Sequence, residues 1–341
     1  MELGEEDILK YEDTLENLTV LTKESKETEI VPPVTDKLKK IQQYIYRNRS
    51  GADLTICILI AALKSYRTDK CLRPFPPMFI KNNEKNFQQL KNVCDIIPTI
   101  KEILSKNANI SEEVVDLLYW LLVEKNFPLL KPCNLTEIPL KTKNKNLEPQ
   151  YVFEVCYPKS ADEAFKNRIG KKQVLHAYHG SAMDNFYSIL KVGLQQHFSV
   201  GREVLFGNGV YLSSEISVCT QYAPFGKTWR NSSLGYKHSI ITICEIINDI
   251  GKVKCKDAQN KNRSHNDQSY GEIPEKYFVV TDSDMLRVKY LMVYSCKNKK
   301  SVKSFITKHL FYIILIVYFF MLVVIGFFRD PNWSRVFRWL K

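Results

Sequence analysis

Three short stretches of the chain hold side chains and backbone suited to a polar or anionic ligand. The first is His179-Gly180-Ser181, placed where the strand-like run at 173–178 gives way to a helix-starting sequence. At such a junction free backbone N–H groups and a helix N-terminus can receive polar or anionic groups. The second is Phe206-Gly207-Asn208-Gly209-Val210-Tyr211-Leu212, with Tyr222 eleven residues further on. The third is Lys276-Tyr277-Phe278-Val279-Val280. Several other chemistries are excluded. Gly207-Asn208-Gly209 lacks a third glycine and precedes a strand where a dinucleotide fingerprint follows one, and no Gly-x-x-x-x-Gly-Lys-Ser/Thr loop occurs anywhere. The six histidines form no His-Glu-x-x-His pair, so no metal is expected.

The elements that must position these stretches are short β-branched and aromatic runs at 151–157, 173–178, 209–212, 238–247, 277–280 and 286–295, which read as strands. Between them Ser181–Asp184 starts a helix expected to run through Leu190, and Ser213–Glu215 another through Tyr222. Upstream the period changes. Asp53 opens a segment in which Leu54, Cys57, Ile58 and Ala61 recur at helical spacing with one buried face, and further helices are expected over 84–94, 98–106 and 111–125. The expected organisation is an acidic extension over 1–50, a helical domain over 51–140, a Lys- and Asn-rich linker over 141–150 and an α+β domain over 151–296.

Beyond residue 296 the chain reads as a membrane anchor. A basic segment, 297–309, precedes the nineteen uncharged residues 310–328, which as a helix span roughly 28 Å, the thickness of a bilayer's hydrocarbon core. A short tail, 329–341, follows. The start MELGEEDILK is acidic and carries no apolar stretch, so no secretory signal is read there and the bulk of the chain is expected in the cytosol. Nine widely spaced cysteines without a Cys-x-x-Cys pair suit that reducing setting. The net charge of +12 is carried downstream of residue 31, because residues 1–31 hold ten acids and three lysines. Such a body suits an anionic partner, although no zinc finger or aromatic-basic motif points to nucleic acid.

Taken together and in this order, the three stretches, Tyr222, and the run Leu286-Arg287-Val288-Lys289-Tyr290-Leu291 resemble the catalytic domain of the poly(ADP-ribose) polymerase superfamily, the diphtheria-toxin-like ADP-ribosyltransferases. Leu72-Arg73-Pro74-Phe75-Pro76 and the C-terminal span extend the likeness to roughly residues 51–330. The resemblance implies an all-helical N-terminal domain, a β-rich split-sheet transferase domain and one C-terminal transmembrane helix anchored in the endoplasmic reticulum, with the final residues lumenal. It implies NAD as a consumed co-substrate, no metal, and protein acceptors including the chain itself. His179 would then bond a ribose hydroxyl on the adenosine side, Gly180 would clamp the nicotinamide amide through its backbone, and Ser181 would lie near the adenine ribose. Tyr211 would hold the nicotinamide and Tyr222 stack on its ring, an arrangement that suits a cationic pyridinium.

The sequence departs from the family pattern at the third stretch. Polymer-forming members carry a glutamate there; this chain has Tyr277, or Lys276 if the register shifts by one. A phenol is a poor base at neutral pH, so transfer is expected to stop at one unit. A second departure is Cys219, where several relatives have a serine that bonds the nicotinamide amide. The catalytic set implied is thus His179, Tyr211 and Tyr277, and the alternative is a silent scaffold that keeps the fold without the activity.

Overall fold

The computed structural model describes residues 33–124, 127–141, 144–195, 206–256, 273–296, 310, 312, 314–322 and 324–325. The expected features over 1–32, 297–309 and 329–341 lie outside the described residues, as do parts of the 310–328 span. Its described residues are helical and, apart from the half-buried Val324, exposed. Among the described residues no helix is long and apolar enough to cross a membrane.

The N-terminal region comprises α1 (Val34–Arg47), α2 (Arg49–Leu63), α3 (Thr68–Cys71), a hairpin of β1 (Ile80–Lys81) and β2 (Glu84–Lys85), α4 (Phe87–Asp95), α5 (Ile100–Ile103) and α6 (Glu112–Leu122). The extension expected over 1–50 therefore ends sooner. After Pro33, α1 buries Ile41 and Ile45, and its Lys37 pairs with Asp116 on α6 at 2.7 Å. Apolar residues four apart gave α1 a face to bury, which the acidic residues before it obscured.

The helix opened by Asp53 in the sequence begins earlier and is buried all round. In α2 every residue from Gly51 to Ala62 is buried. Asn48 caps it by accepting from Gly51 N at 3.2 Å, and donates from its amide to Leu130 O at 3.0 Å. A side chain at Gly51 would lie 2.1 Å from that same carbonyl, so α2 meets the sheet backbone to backbone.

The sheet is built from β3 (Leu129–Cys133), β4 (Tyr151–Cys156), β5 (Val174–Ser181), β6 (Val210–Ser213), β7 (Gly226–Lys227), β8 (Lys237–Ile247), β9 (Val253–Lys254), β10 (Tyr277–Val280) and β11 (Leu286–Cys296), with helices α7 (Lys159–Ile169), α8 (Phe186–Val192) and α9 (Ile216–Thr220) in its connections. The antiparallel order is β3-β4-β11-β8-β5-β6-β10-β9, with β7 beside β8. β8 is apolar almost without alternation because it is covered on both faces, by α2 and α8 on one and by Ile138, Ile216 and Ala223 on the other.

Two boundaries differ from the sequence reading. The region before residue 140 is not all-helical, since β3 pairs with β4 and opens the sheet. The stretch 141–150 is consequently a connection between neighbouring strands rather than a linker between domains. It is held there: Leu147 O accepts from the Tyr294 hydroxyl at 2.8 Å, and Gln150 Oε1 accepts from Ser295 N at 2.7 Å.

Candidate active site

The three stretches singled out in the sequence end on three consecutive strands. Tyr178 of β5 lies opposite Ser213 of β6, and Ser213 lies opposite Tyr277 of β10. β5 and β6 share only that one register pair, whereas β5 pairs with β8 over eight residues. The sheet is therefore split at this seam, and His179-Gly180-Ser181 is the part of β5 that runs along the opening.

Each residue of that triplet is held by a separate contact. The half-buried His179 ring places Nδ1 2.9 Å from Tyr211 O, and a carbonyl only accepts, so Nδ1 carries the hydrogen. Burial holds the ring below the ordinary histidine value of 6.5, opposed by that hydrogen bond. A neutral ring with Nδ1 protonated presents Nε2 as an acceptor, the group that a ribose hydroxyl needs. The backbone of Gly180 runs so close to α9 that a Cβ there would stand 2.1 Å from Cys219 O. Ser181 Oγ accepts from Asn185 Nδ2 at 2.9 Å. Ser181 closes β5, and the helix expected from it begins with a 3-10 turn at Met183–Asn185 and continues as α8.

The second stretch is braced by its own tyrosine. The Tyr211 hydroxyl donates to Gly207 O at 2.8 Å and accepts from Phe206 N at 3.0 Å, which closes the loop onto the strand. Phe206 stands between two rings, with centroid separations of 6.3 Å to Tyr211 and 5.9 Å to Tyr277. Such tilted contacts hold aromatic side chains in one arrangement. At the third stretch the two candidate side chains part company at the start of β10. Tyr277 joins the ring group, whereas Lys276 ends 3.5 Å from Glu215 at the start of α9.

Tyr222, by contrast, is 59% exposed just beyond α9 and makes no ring contact among the described residues. Cys219 is buried, and burial pushes its thiol up to about 12 against the opposing pull of the Gly180 N–H, so it stays a neutral thiol. Sequence reasoning missed Asn185, which no motif marks, and the bridging role of the Phe206 ring. Proximity of Phe206 to the Gly207–Gly209 turn was the one available signal for the latter.

The chain is similar to known proteins across both regions. The ARTD15 N-terminal domain matches residues 43–122, and the Poly(ADP-ribose) polymerase catalytic domain matches residues 134–246, a stretch that includes β5 and β6 and stops before β10. The Protein mono-ADP-ribosyltransferase PARP16 of Mus musculus is 34% identical over 311 residues, covering 86% of this chain and 96% of that protein. Its counterpart in Homo sapiens is 33% identical over the same shares. The Protein mono-ADP-ribosyltransferase PARP8 of Mus musculus is 24% identical over 203 residues, 53% of this chain and 23% of that protein. With two such relatives matched over nearly their whole length, the chain belongs to the poly(ADP-ribose) polymerase family of ADP-ribosyltransferases.

Proposed function

We propose that this protein is an NAD-dependent mono-ADP-ribosyltransferase: it transfers one ADP-ribose unit from NAD to protein side chains, its own included, and releases nicotinamide. The observation that carries the reading is the side-by-side placement of His179, Tyr211 and Tyr277 on β5, β6 and β10, with no carboxylate at the third position. His179 Nε2 accepts a ribose hydroxyl, the Gly180 backbone clamps the nicotinamide amide, Ser181 lies at the adenine ribose, and Tyr211 and Tyr222 enclose the cationic ring. Fixing ring and ribose in this way aligns the glycosidic bond for cleavage through an oxocarbenium-like state. An acceptor Asp or Glu, already ionised, captures C1 of the ribose without an enzymic base. Because Tyr277 supplies no base to activate a ribose hydroxyl, a second unit is not added.

The nineteen uncharged residues 310–328 support a single-pass anchor with the catalytic region cytosolic, and family likeness supports the endoplasmic reticulum as its membrane. The test uses the full-length chain in microsomes with labelled NAD. A compact labelled band that resists alkaline extraction from the membrane, and that His179→Ala and Tyr211→Ala each remove, is the expected result. A high smear would overturn the argument from Tyr277. No label above the two variants, in folded protein, would favour the scaffold.

A pH dependence follows from the His179 ring. Burial lowers its pKa below 6.5, so Nε2 remains an acceptor down to about that pH and is lost only as pH falls further. The affinity for NAD should therefore be level from pH 8 to 6.5 and decline below it. A titration limb above 6.5 that disappears in His179→Ala would contradict the buried neutral ring.

A further inference from the structure

Between α2 and α3, residues Ser65–Arg67 lie against the turn that follows Ser181. Ser65 Oγ donates to Asp184 Oδ2 at 2.5 Å, and the Arg67 guanidinium donates to Asn185 Oδ1 at 3.4 Å. The Cys71 thiol reaches that same oxygen at 3.6 Å. Asn185 in turn donates from Nδ2 to Ser181 Oγ at 2.9 Å. Arg67 is held in this place at some cost, because its Nε is buried without a partner among the described residues.

The direction of this relay is set at its far end. A guanidinium has donors and no acceptor, so the carboxamide must turn its oxygen toward Arg67 and its NH2 toward Ser181. Ser181 Oγ must then accept, and its own hydrogen is free to be donated elsewhere. We infer that Arg67, through Asn185, fixes Ser181 as a hydrogen-bond donor to an oxygen on the adenosine half of NAD, making Arg67 and Asn185 positioning residues for the co-substrate. The helical region thereby supports the NAD site through a rigid polar contact. This inference rests on the reading that Ser181 faces NAD.

Asn185→Asp tests it without loosening the interface. A carboxylate keeps and strengthens the contact to Arg67, so the melting temperature should not fall. It also accepts from Ser181, which captures the hydrogen that NAD would otherwise receive. With the full-length chain in detergent, self-labelling kinetics should show KM for NAD raised about three- to tenfold with kcat little changed, the size of one lost hydrogen bond. Ser181→Ala should raise KM comparably, and adding Asn185→Asp or Arg67→Ala to Ser181→Ala should change nothing more. If Ser181→Ala leaves KM unaltered, the placement of Ser181 at NAD fails and this inference with it. If Ser181→Ala raises KM while Asn185→Asp does not, the inference alone fails. It also fails if Asn185→Asp raises KM equally in the Ser181→Ala background, which would mark charge repulsion.

Discussion

Replacing Gly180 with alanine should extinguish transfer. The added Cβ would stand 2.1 Å from Cys219 O, 2.9 Å from its carbonyl carbon and 3.1 Å from its Cα. All three are backbone atoms, so no rotamer change relieves the clash. β5 cannot retreat on the other side, because eight register pairs fix it to β8, and Thr242 Oγ1 bonds His179 O at 3.2 Å. What gives way is the relation of β5 to α9, which carries the chain on to Tyr222. A displacement of about 1 Å at such a site costs on the order of a hundredfold in rate. Labelling by Gly180→Ala is therefore expected to fall at least that far, with a folded sheet by far-UV dichroism. Activity within twofold of the parent would show that the close approach is not part of the working site.

How much of this arrangement was legible beforehand depends on whether the signal was local. The runs at 151–157, 173–178, 238–247 and 286–295 stood out as apolar and β-branched because β4, β5, β8 and β11 are each buried on at least one face, although β5 continues through His179–Ser181, which read as lying beyond the strand. The site triplet was legible too, since its residue types occur together and in order. By contrast, β3 was invisible: Leu129-Leu130-Lys131-Pro132-Cys133 contains a proline, which suits only an edge strand, and β3 is the edge of the sheet. The choice between Lys276 and Tyr277 could not be made from alternation alone, because a one-residue shift exchanges the two faces of a strand. In β10, which pairs with β6 across more than sixty residues of chain, Tyr277 lies opposite Ser213. For α2 the local pattern misled: a helix enclosed by both α1 and the sheet is apolar all round, and the one-sided spacing after Asp53 was only part of it.

Asp53 itself was read as a helix-opening residue, and its burial inside α2 leads to the second large expected effect. Its carboxylate is fully buried. Oδ1 accepts from Ser232 Oγ at 2.5 Å, and Oδ2 accepts from Ser233 N and Ser233 Oγ, both at 2.7 Å. These serines precede β8, the strand that backs His179. At the other end of α2, Lys64 Nζ donates to Thr228 O at 2.8 Å. The helix is thus tied to the transferase sheet at both ends, each time through a charged side chain, and Asp53 makes the larger number of bonds. Truncation by Asp53→Ala removes these three bonds and the contact from the Cys57 thiol at 3.6 Å; Ser233 is exposed and Ser232 half-buried, so water takes up part of the loss, and at roughly 1.5–3 kcal/mol for each hydrogen bond to a charged group, less the relief of burying no charge, the net loss is about 3 kcal/mol. For a body of this size that lowers the melting temperature by about 10 °C. Asp53→Asn keeps the volume and one acceptor, so it should lose about half as much, and the difference between the two separates the charge from the packing. Because the helical region is docked at the same time to Asp184 and Asn185, the loss should also appear as weaker NAD binding below the melting transition. A melting temperature within a degree or two of the parent for Asp53→Ala would mean that the apolar surface of α2 docks the two regions unaided, and that the buried carboxylate serves some purpose other than holding them together.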